Sequence, residues 1–252
     1  MASSAQIEKI DIGRVIQRGF NTIGRNAATF LLAGVIFAGL PTFVAQYVAV
    51  SQFRSGPPQF GADFLAASAI MFIVSIFASN LLQATLVRSS ILDLNGRPAD
   101  IGGSLQAAFM IILPMIGLTI VASIGIGLGL LLLIVPGIIL YVMWIVAVPV
   151  LVEERVGVFE SLGRSASLTA GSRWRIFGLL VLYVLFWWIV ALVFQLVFAF
   201  DPLDGATYMA LVNALIGIVT GVFTATMTAS LYVELRTVKE GATAESLASI
   251  FD

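Results

Sequence analysis

The sequence contains neither cysteine nor histidine among its 252 residues. Thiol nucleophiles, disulfide bonds, imidazole bases and the usual zinc ligand sets are therefore excluded. Charged residues make up only 11% of the chain, whereas a soluble domain carries roughly 25%. Because the residue types that serve as acids, bases and nucleophiles are scarce, enzymatic activity is the least favoured class of function.

Apolar residues are correspondingly abundant, at 60% of the chain, and the mean hydropathy is +1.05. A helix needs about 20 apolar residues to cross a bilayer. Residues 109–152 carry no charge and exceed one span, so we divide them at a turn predicted near Gly125, Gly127 and Gly129. Six spans result, at about 27–50, 63–88, 106–126, 130–152, 174–200 and 208–235, followed by a polar tail at 237–252. The sequence therefore predicts an all-α polytopic membrane protein forming a single domain.

Three shorter segments show helical periodicity with one apolar face, at about 7–26, 100–108 and 156–170. In the first, Ile12, Val15 and Ile16 fall on one side, and arginines fall on the other. Such helices lie in the membrane interface with arginines toward lipid phosphates, or they cover the protein's own cytoplasmic end. The two interpretations are compatible, and both stay open at this point.

The basic residues predict the orientation. If the chain has six spans, 12 of its 13 Lys and Arg residues fall on one side, and only Arg54 falls on the other. Basic residues accumulate in cytoplasmic loops. Both termini are therefore expected in the cytoplasm.

The order of elements suggests an internal threefold repeat of one amphipathic helix followed by two spans, over about 7–97, 98–156 and 157–236. Asp11-Ile12-Gly13 recurs as Asp100-Ile101-Gly102. The alternative is that cytoplasmic linkers of membrane proteins are often amphipathic without any duplication.

Arginine and tryptophan near the cytoplasmic ends of the spans are candidates for binding lipid headgroups, because Trp rests at headgroup depth while Arg reaches phosphates. Generic anchoring of the helices is the alternative to a specific phospholipid or phosphate site. The candidates are Arg14, Arg18, Arg25, Arg164, Arg173, Trp174 and Arg175.

Two carboxylates end the fourth span, where acidic side chains tend to need partners. Glu153 and Glu154 are expected to form ion pairs rather than to handle protons, and their candidate partners are Arg88, Arg97, Arg164 and Arg173. Glu234, near the inner end of span six, is expected to pair in the same way. A further pair is predicted between Glu160 and Arg164, which stand four residues apart on a helix.

Uncharged polar residues occur within the spans, and they either line a cavity or bond neighbouring helices. The candidates are Asn80, Gln83, Gln195 and Asn213. Gly217 and Gly221 form a small-residue seam that favours close helix packing, within the chain or between copies.

Residues 131–178 resemble the membrane-domain family named after glycerophosphoryl diester phosphodiesterase, and related bacterial six-span inner-membrane proteins. The resemblance rests on Pro136-Gly137, Pro149, Glu153, the 161–165 helix and the Leu168–Arg175 stretch. It implies a bacterial inner-membrane module, without phosphodiesterase activity, since the catalytic barrel of those enzymes has no counterpart here.

The favoured function is a non-enzymatic, lipid-interacting scaffold or assembly module whose basic cytoplasmic rim engages anionic phospholipids. A transporter or channel for a small or lipidic substrate is the alternative. The chain lacks phosphate-binding glycine loops and metal-ligand constellations, so we expect no catalytic residue, metal or cofactor. Phospholipids are the expected partners, and a second copy or another membrane protein is compatible with the sequence, whereas nothing supports nucleic-acid binding.

Overall fold

The structure, a computed structural model, describes residues 10–54, 61–197 and 205–241, with side chains described except at 50–54, 63, 194–197 and 205–209. The described residues are helical and form no strand. The α-helices are α1 (Ile12–Arg25), α2 (Ala27–Gly34), α3 (Leu40–Arg54), α4 (Ala62–Leu94), α5 (Ile101–Met110), α6 (Ile112–Leu132), α7 (Ile134–Trp144), α8 (Ala147–Glu154), α9 (Val158–Thr169), α10 (Arg173–Val197) and α11 (Gly205–Arg236). A π-helical segment at Val35–Gly39 joins α2 to α3, and a second one at Thr237–Gly241 follows α11.

Six helical segments are long and apolar enough to cross a membrane, which confirms the predicted fold class. They are span one (Ala27–Ala49), span two (Phe64–Leu94), span three (Ile112–Leu132), span four (Ile134–Glu154), span five (Arg173–Val193) and span six (Ala210–Gly241). The tail beyond residue 241, predicted as polar, lies outside the described residues.

A short amphipathic helix precedes each pair of spans: α1 before spans one and two, α5 before three and four, and α9 before five and six. The first two begin with the same cap. The Asp11 side chain accepts a hydrogen bond from the backbone N–H of Arg14 at 3.2 Å, and Asp100 accepts from that of Gly103 at 2.9 Å. An N-terminal aspartate satisfies an otherwise orphan N–H of the first turn. The aspartate of each Asp-Ile-Gly motif therefore caps the N-terminus of the helix that follows it.

Spans three and four form a tight hairpin whose turn lies at Leu133, not at the three glycines where the sequence predicted it. The helix α6 continues through Gly125, Gly127 and Gly129 and ends at Leu132, where Leu133 adopts an extended conformation. Gly129 instead lets the two helices approach closely, because a Cβ there would lie 2.9 Å from the Cα of Gly137. Spans three and four therefore begin and end later than predicted, with span three starting at Ile112 rather than near residue 106.

Span four is broken between α7 and α8, at Ile145 and Val146. Pro149 lies in the first turn of α8 and has no N–H to donate, so the helical hydrogen-bond ladder is interrupted there. The Ser165 hydroxyl, from α9, donates to the Met143 carbonyl at 2.8 Å. The third amphipathic helix is thereby bonded to the backbone of the broken span.

Span six is the centre of the bundle. Its helix α11 packs against α1, α2, α3, α4, α8 and α9. Alanines and glycines on one face of α11 permit this crowding, and Leu231, Tyr232 and Leu235 near its end are fully buried. Span five lies at the periphery, with many of its large apolar side chains exposed, as expected for a helix that faces lipid.

Candidate functional site

The arginines of α1 converge on one carboxylate of span six. Glu234, whose side chain is only 1% exposed, lies 3.4 Å from Arg14 Nη1 and 2.9 Å from Arg18 Nη1. Its Oε1 also accepts a hydrogen bond from the Asp11 backbone N–H at 3.3 Å. A buried carboxylate needs such partners, because an uncompensated charge in an apolar setting is costly. Two predicted headgroup ligands are therefore already engaged within the protein.

The third arginine of α1 is paired in the same way with the end of span two. Arg25 Nη2 lies 2.6 Å from Asp93 Oδ2, and the Thr22 hydroxyl donates to the same oxygen at 2.7 Å. The hydrogen bond to Asp93 raises the pKa of Arg25 above its usual value, against a small opposing effect of burial. Each end of α1 is thus held by an acidic residue from a different span.

Arg164 on α9 joins the ends of spans four and six. Its Nε donates to Glu154 Oε2 at 3.1 Å, and its Nη2 donates to Glu240, which also accepts from Arg236 Nε at 2.6 Å. Burial lowers the pKa of Arg164, but the hydrogen bonds to Glu154 and Glu240 outweigh burial and leave it raised. The predicted Glu160–Arg164 pair is not among the ion pairs of the described residues: Arg164 pairs with Glu154 and Glu240 instead, and Glu160 is exposed.

The predicted boundary pairs are only partly formed in the described residues. Glu154 bonds to Arg164 and accepts a hydrogen bond from the Tyr232 hydroxyl at 3.0 Å. Glu153 and Arg97 are exposed, and the ion pairs between described residues include neither of them. Arg88 is half-buried, and its Nε has no hydrogen-bond partner in the described part of the chain. The Glu154–Arg164 pair is one of those predicted, and it forms because α9 packs against α8 and brings Arg164 to the end of span four.

The start of span five, at Arg173, Trp174 and Arg175, differs from the other arginine-bearing segments at this end of the bundle. In the described ranges, its two arginines have no acidic partner. The Trp174 side chain is 85% exposed. Arg175 Nη1 donates to the backbone carbonyl of Ile10 at 2.6 Å, and Arg173 Nη2 lies 3.5 Å from the Ala166 carbonyl. Both arginines are exposed, and these neutral carbonyl partners leave their positive charges uncompensated.

Beside the start of span five, α1, α7, α10 and α11 enclose an almost entirely apolar groove of about 290 Å³, which we call the lateral groove. Ile16 and Phe20 of α1 form one wall, and Leu179, Tyr183 and Phe186 of α10 form another. Phe223 stacks on Phe186 with ring centroids 5.6 Å apart. At its wall the Tyr183 hydroxyl is hydrogen-bonded to the Thr224 hydroxyl at 2.8 Å, and the Thr228 hydroxyl donates to the Thr224 carbonyl at 2.8 Å.

A second cavity, of about 570 Å³, lies within the bundle between spans one, two and six, and we call it the polar cavity. Gln83 and Asn213, both predicted as intramembrane polar candidates, line it together. Asn80 does not, since its amide donates to the Ile76 carbonyl at 2.9 Å and accepts from Thr119 at 2.7 Å. Gln195 belongs to α10, but its side chain lies outside the described residues. Of these polar candidates, Gln83 and Asn213 therefore line a cavity, whereas Asn80 forms a hydrogen bond between spans two and three.

The predicted glycine seam packs within the chain. A Cβ at Gly221 would lie 3.0 Å from Leu82 Cδ2, and one at Gly217 would lie 3.6 Å from Thr42 Oγ1. Span six therefore uses these glycines to contact spans two and one. Both glycines also border the polar cavity.

The acidic partners of the arginines at this end of the bundle were only partly predictable from the sequence. The sequence predicts an ion pair for Glu234 without identifying its arginine partners, and it gives no comparable indication for Asp93 and Glu240, although all three lie near the end of an even-numbered span. Their position alone could have indicated partners for arginines on the amphipathic helices. The hydroxyls of Thr22 and Ser165 were also missed, since a buried hydroxyl and an exposed one are alike in sequence.

No group of three or more acidic, His or Cys residues suited to a metal ion occurs in the part of the chain that the structure describes. Residues 98–235, more than half of the chain, match a family described as a domain of unknown function (DUF7847). No curated protein and no solved structure matches the chain.

Proposed function

The chain belongs to this family of unknown function, and on that premise we propose that it is a lipid-interacting scaffold or assembly module of the bacterial inner membrane, not an enzyme. Its cytoplasmic rim engages anionic phospholipids, and its partners in the membrane are lipids together with a second copy or another membrane protein. The earlier resemblance to bacterial six-span inner-membrane proteins is in keeping with this setting.

One observation carries the proposal: uncompensated cationic residues stand at the mouth of an apolar groove. Arg175, Leu179, Tyr183 and Phe186 recur at helical spacing, so they share one face of α10. The last three line the lateral groove, and Arg175 stands one turn before them at the rim. A phospholipid matches this arrangement, with an acyl chain in the groove and its phosphate at Arg175.

Ion pairing within the protein separates the predicted headgroup ligands into two groups. Arg14, Arg18, Arg25 and Arg164 are each bonded to a carboxylate, so their charge attracts a phosphate less strongly. Arg173, Trp174 and Arg175 have no such partner in the described residues, and they combine exposed charge with an aromatic ring at headgroup depth. We therefore assign the principal headgroup contact to these three residues.

Native mass spectrometry of lipids retained from nanodiscs tests the proposal. In discs that mix phosphatidylglycerol with phosphatidylcholine, the wild-type protein should retain phosphatidylglycerol preferentially. Charge removal at Arg173→Gln/Arg175→Gln should weaken that preference by about thirtyfold, at roughly 1 kcal/mol per arginine near an anionic surface. Arg97→Gln removes an exposed charge elsewhere on the rim and should leave the preference almost unchanged.

Equal retention by wild type and the double variant would overturn the proposal. So would an equal loss in the Arg97→Gln control, since that result indicates diffuse attraction to the whole rim. The same spectra report whether the protein carries a second copy or another bound protein, which tests the scaffold role.

The polar cavity favours the alternative of a transporter or channel, because polar residues from three spans meet at membrane depth. Transport predicts solute flux into proteoliposomes that is absent from protein-free vesicles. Flux without preferential lipid retention would favour the alternative over the scaffold.

A further inference from the structure

The polar cavity is lined by polar side chains from three different spans. Gln46 and Thr42 come from span one, Ser75, Ser79 and Gln83 from span two, and Asn213 and Thr220 from span six. We propose that the polar cavity is a binding site for a small uncharged solute that both donates and accepts hydrogen bonds, such as a polyol or a primary amide. This inference does not rest on the proposed lipid function, because the cavity shares no lining residue with the lateral groove or the basic rim.

The absence of charge in the lining selects the class of ligand. Among the described residues that line the polar cavity, none is Asp, Glu, Lys or Arg. A charged solute would leave water for this site without an opposite charge to compensate it, which is costly at membrane depth. An uncharged polar solute has no such penalty, and the amides and hydroxyls replace its hydrogen bonds to water.

Two amides in the lining are left for a ligand. The side chains of Gln46 and Gln83 have no hydrogen-bond partner in the described residues. The hydroxyls of Ser75 and Ser79 already donate to the carbonyls of Met71 and Ile76, at 2.8 and 3.1 Å, so toward the cavity their oxygens accept. Each glutamine amide supplies donors and an acceptor. The lining therefore offers both hydrogen-bonding functions.

The neighbouring Asn80 is an example of a side-chain amide with a purely structural role. It lies one turn before Gln83 on the same helix, is buried, and bonds both to the Ile76 carbonyl of that helix and to Thr119 of span three. Gln83 projects instead into an open space of about 570 Å³, a volume within the range typical of ligand pockets, about 300–1,000 Å³.

The wall supplied by span one is irregular. The π-helical segment Val35–Gly39 contributes Phe37 and Ala38 to the lining, and Pro41, two residues beyond its end, also lines the cavity. Single π-helical turns within α-helices occur frequently at functional sites. Gly39, at the end of this segment, packs on Ile218, where a Cβ would lie 2.7 Å from Ile218 Cδ1. Close packing therefore holds the irregular turn against span six.

The chain contains no cysteine, so single substitutions report access to water without any background. Ser79→Cys and Thr220→Cys place a thiol in the cavity, and Leu215→Cys places one on the lipid-facing side of span six, where Leu215 is exposed. In nanodiscs, which leave both membrane faces open, an uncharged, water-soluble reagent such as 2-hydroxyethyl methanethiosulfonate should label the two cavity thiols much faster than the Leu215→Cys thiol. Equal labelling of the three thiols would overturn the proposal.

Protection by solutes then tests binding. Glycerol, erythritol and acetamide serve as uncharged probes, with glycerol 3-phosphate and choline as charged counterparts. By mass action, a probe at twice its dissociation constant slows cavity labelling about threefold. We expect such slowing with at least one uncharged probe and none with the charged ones. Asn95→Cys, exposed at the rim, should react at the same rate with and without each probe.

Removal of a glutamine amide tests the assigned hydrogen bonds. Gln83→Leu in the Ser79→Cys background should preserve labelling yet weaken protection by about fivefold to tenfold, as expected for the loss of about one hydrogen bond. Gln46→Leu in the Thr220→Cys background should do the same from the opposite wall. Protection by no uncharged probe, equal protection by charged ones, or protection unchanged in both leucine variants would each overturn the proposal.

Discussion

Glu234 illustrates what a single side chain contributes to the end of the bundle where the amphipathic helices lie. It is buried in span six, and it accepts charge-assisted hydrogen bonds from an amphipathic helix more than 200 residues away in sequence. Hydrogen bonds that involve a charged group are stronger than neutral ones, at about 1.5–3 kcal/mol each. Because Arg14 and Arg18 are more than one-third exposed, solvent screens part of this contribution.

Glu234→Gln should therefore lower the free energy of unfolding by about 2 kcal/mol. The amide keeps the shape of the side chain but removes the charge that holds the two arginines. Thermal unfolding in detergent, followed by tryptophan fluorescence, measures the loss. Glu160→Gln is the matched control, since Glu160 is exposed and has no ion pair in the described chain, and it should unfold like wild type. Equal midpoints for Glu234→Gln and wild type would contradict the assigned role.

At the scale of elements, the hairpin of α6 and α7 shows why glycine composition alone does not locate a turn. Gly127 faces open space, whereas Gly129 meets the backbone of α7 at Gly137. Two glycines in one helix, two residues apart, thus have different consequences for packing. The turn lies beyond both, at Leu133, where the extended conformation ends α6.

We expect Gly129→Ala to destabilise the protein by about 1–3 kcal/mol, because its Cβ would force the two helices apart. Gly127→Ala adds the same methyl group to the same helix without a contact within 4 Å, and its effect should be close to zero. Thermal unfolding of the two variants side by side measures the difference. Indistinguishable variants would mean that the helices do not approach as closely as the structure places them.

At the scale of the whole molecule, the rim is a set of ion pairs between amphipathic helices and the ends of the even-numbered spans. Arginines of α1 meet Glu234 and Asp93, and Arg164 of α9 meets Glu154 and Glu240. These contacts place the amphipathic helices at one end of the bundle, together with most of the basic residues. The helix α1 therefore covers one end of the protein, which is one of its two predicted roles. Its exposed side can still contact lipid, which is the other.

We predict that the end of the bundle with the amphipathic helices faces the cytoplasm. Asn95→Cys and Glu160→Cys lie at the rim, and Gly61→Cys lies at the start of α4, at the opposite end of the spans. In intact cells an impermeant thiol reagent should label Gly61→Cys alone, and the two rim thiols should react only after the membrane is permeabilised. This follows from the excess of basic residues at the rim. Labelling of the rim thiols in intact cells would invert the proposed orientation.

Several features were open to prediction because they depend on short windows of sequence. Span number follows from the apolar length that a bilayer requires, and the N-terminal aspartates of α1 and α5 cap helices through bonds three residues away. The break in span four and the π-helical turn in span one were less accessible. Pro149 and Pro41 mark both places, but a proline alone does not tell whether a helix breaks or stays continuous around it.

The sequence by itself determined the fold class, the six spans and the clustering of basic residues at one end, because hydrophobic length and charge act locally against a bilayer of fixed thickness. Only the tertiary structure decided which carboxylate each arginine meets and which amides face a cavity. Arg18 and Glu234 are 216 residues apart, and Asn80 and Gln83 share a helix but face different neighbours. Such choices depend on how the spans pack around α11, and no periodicity within one helix encodes its partners.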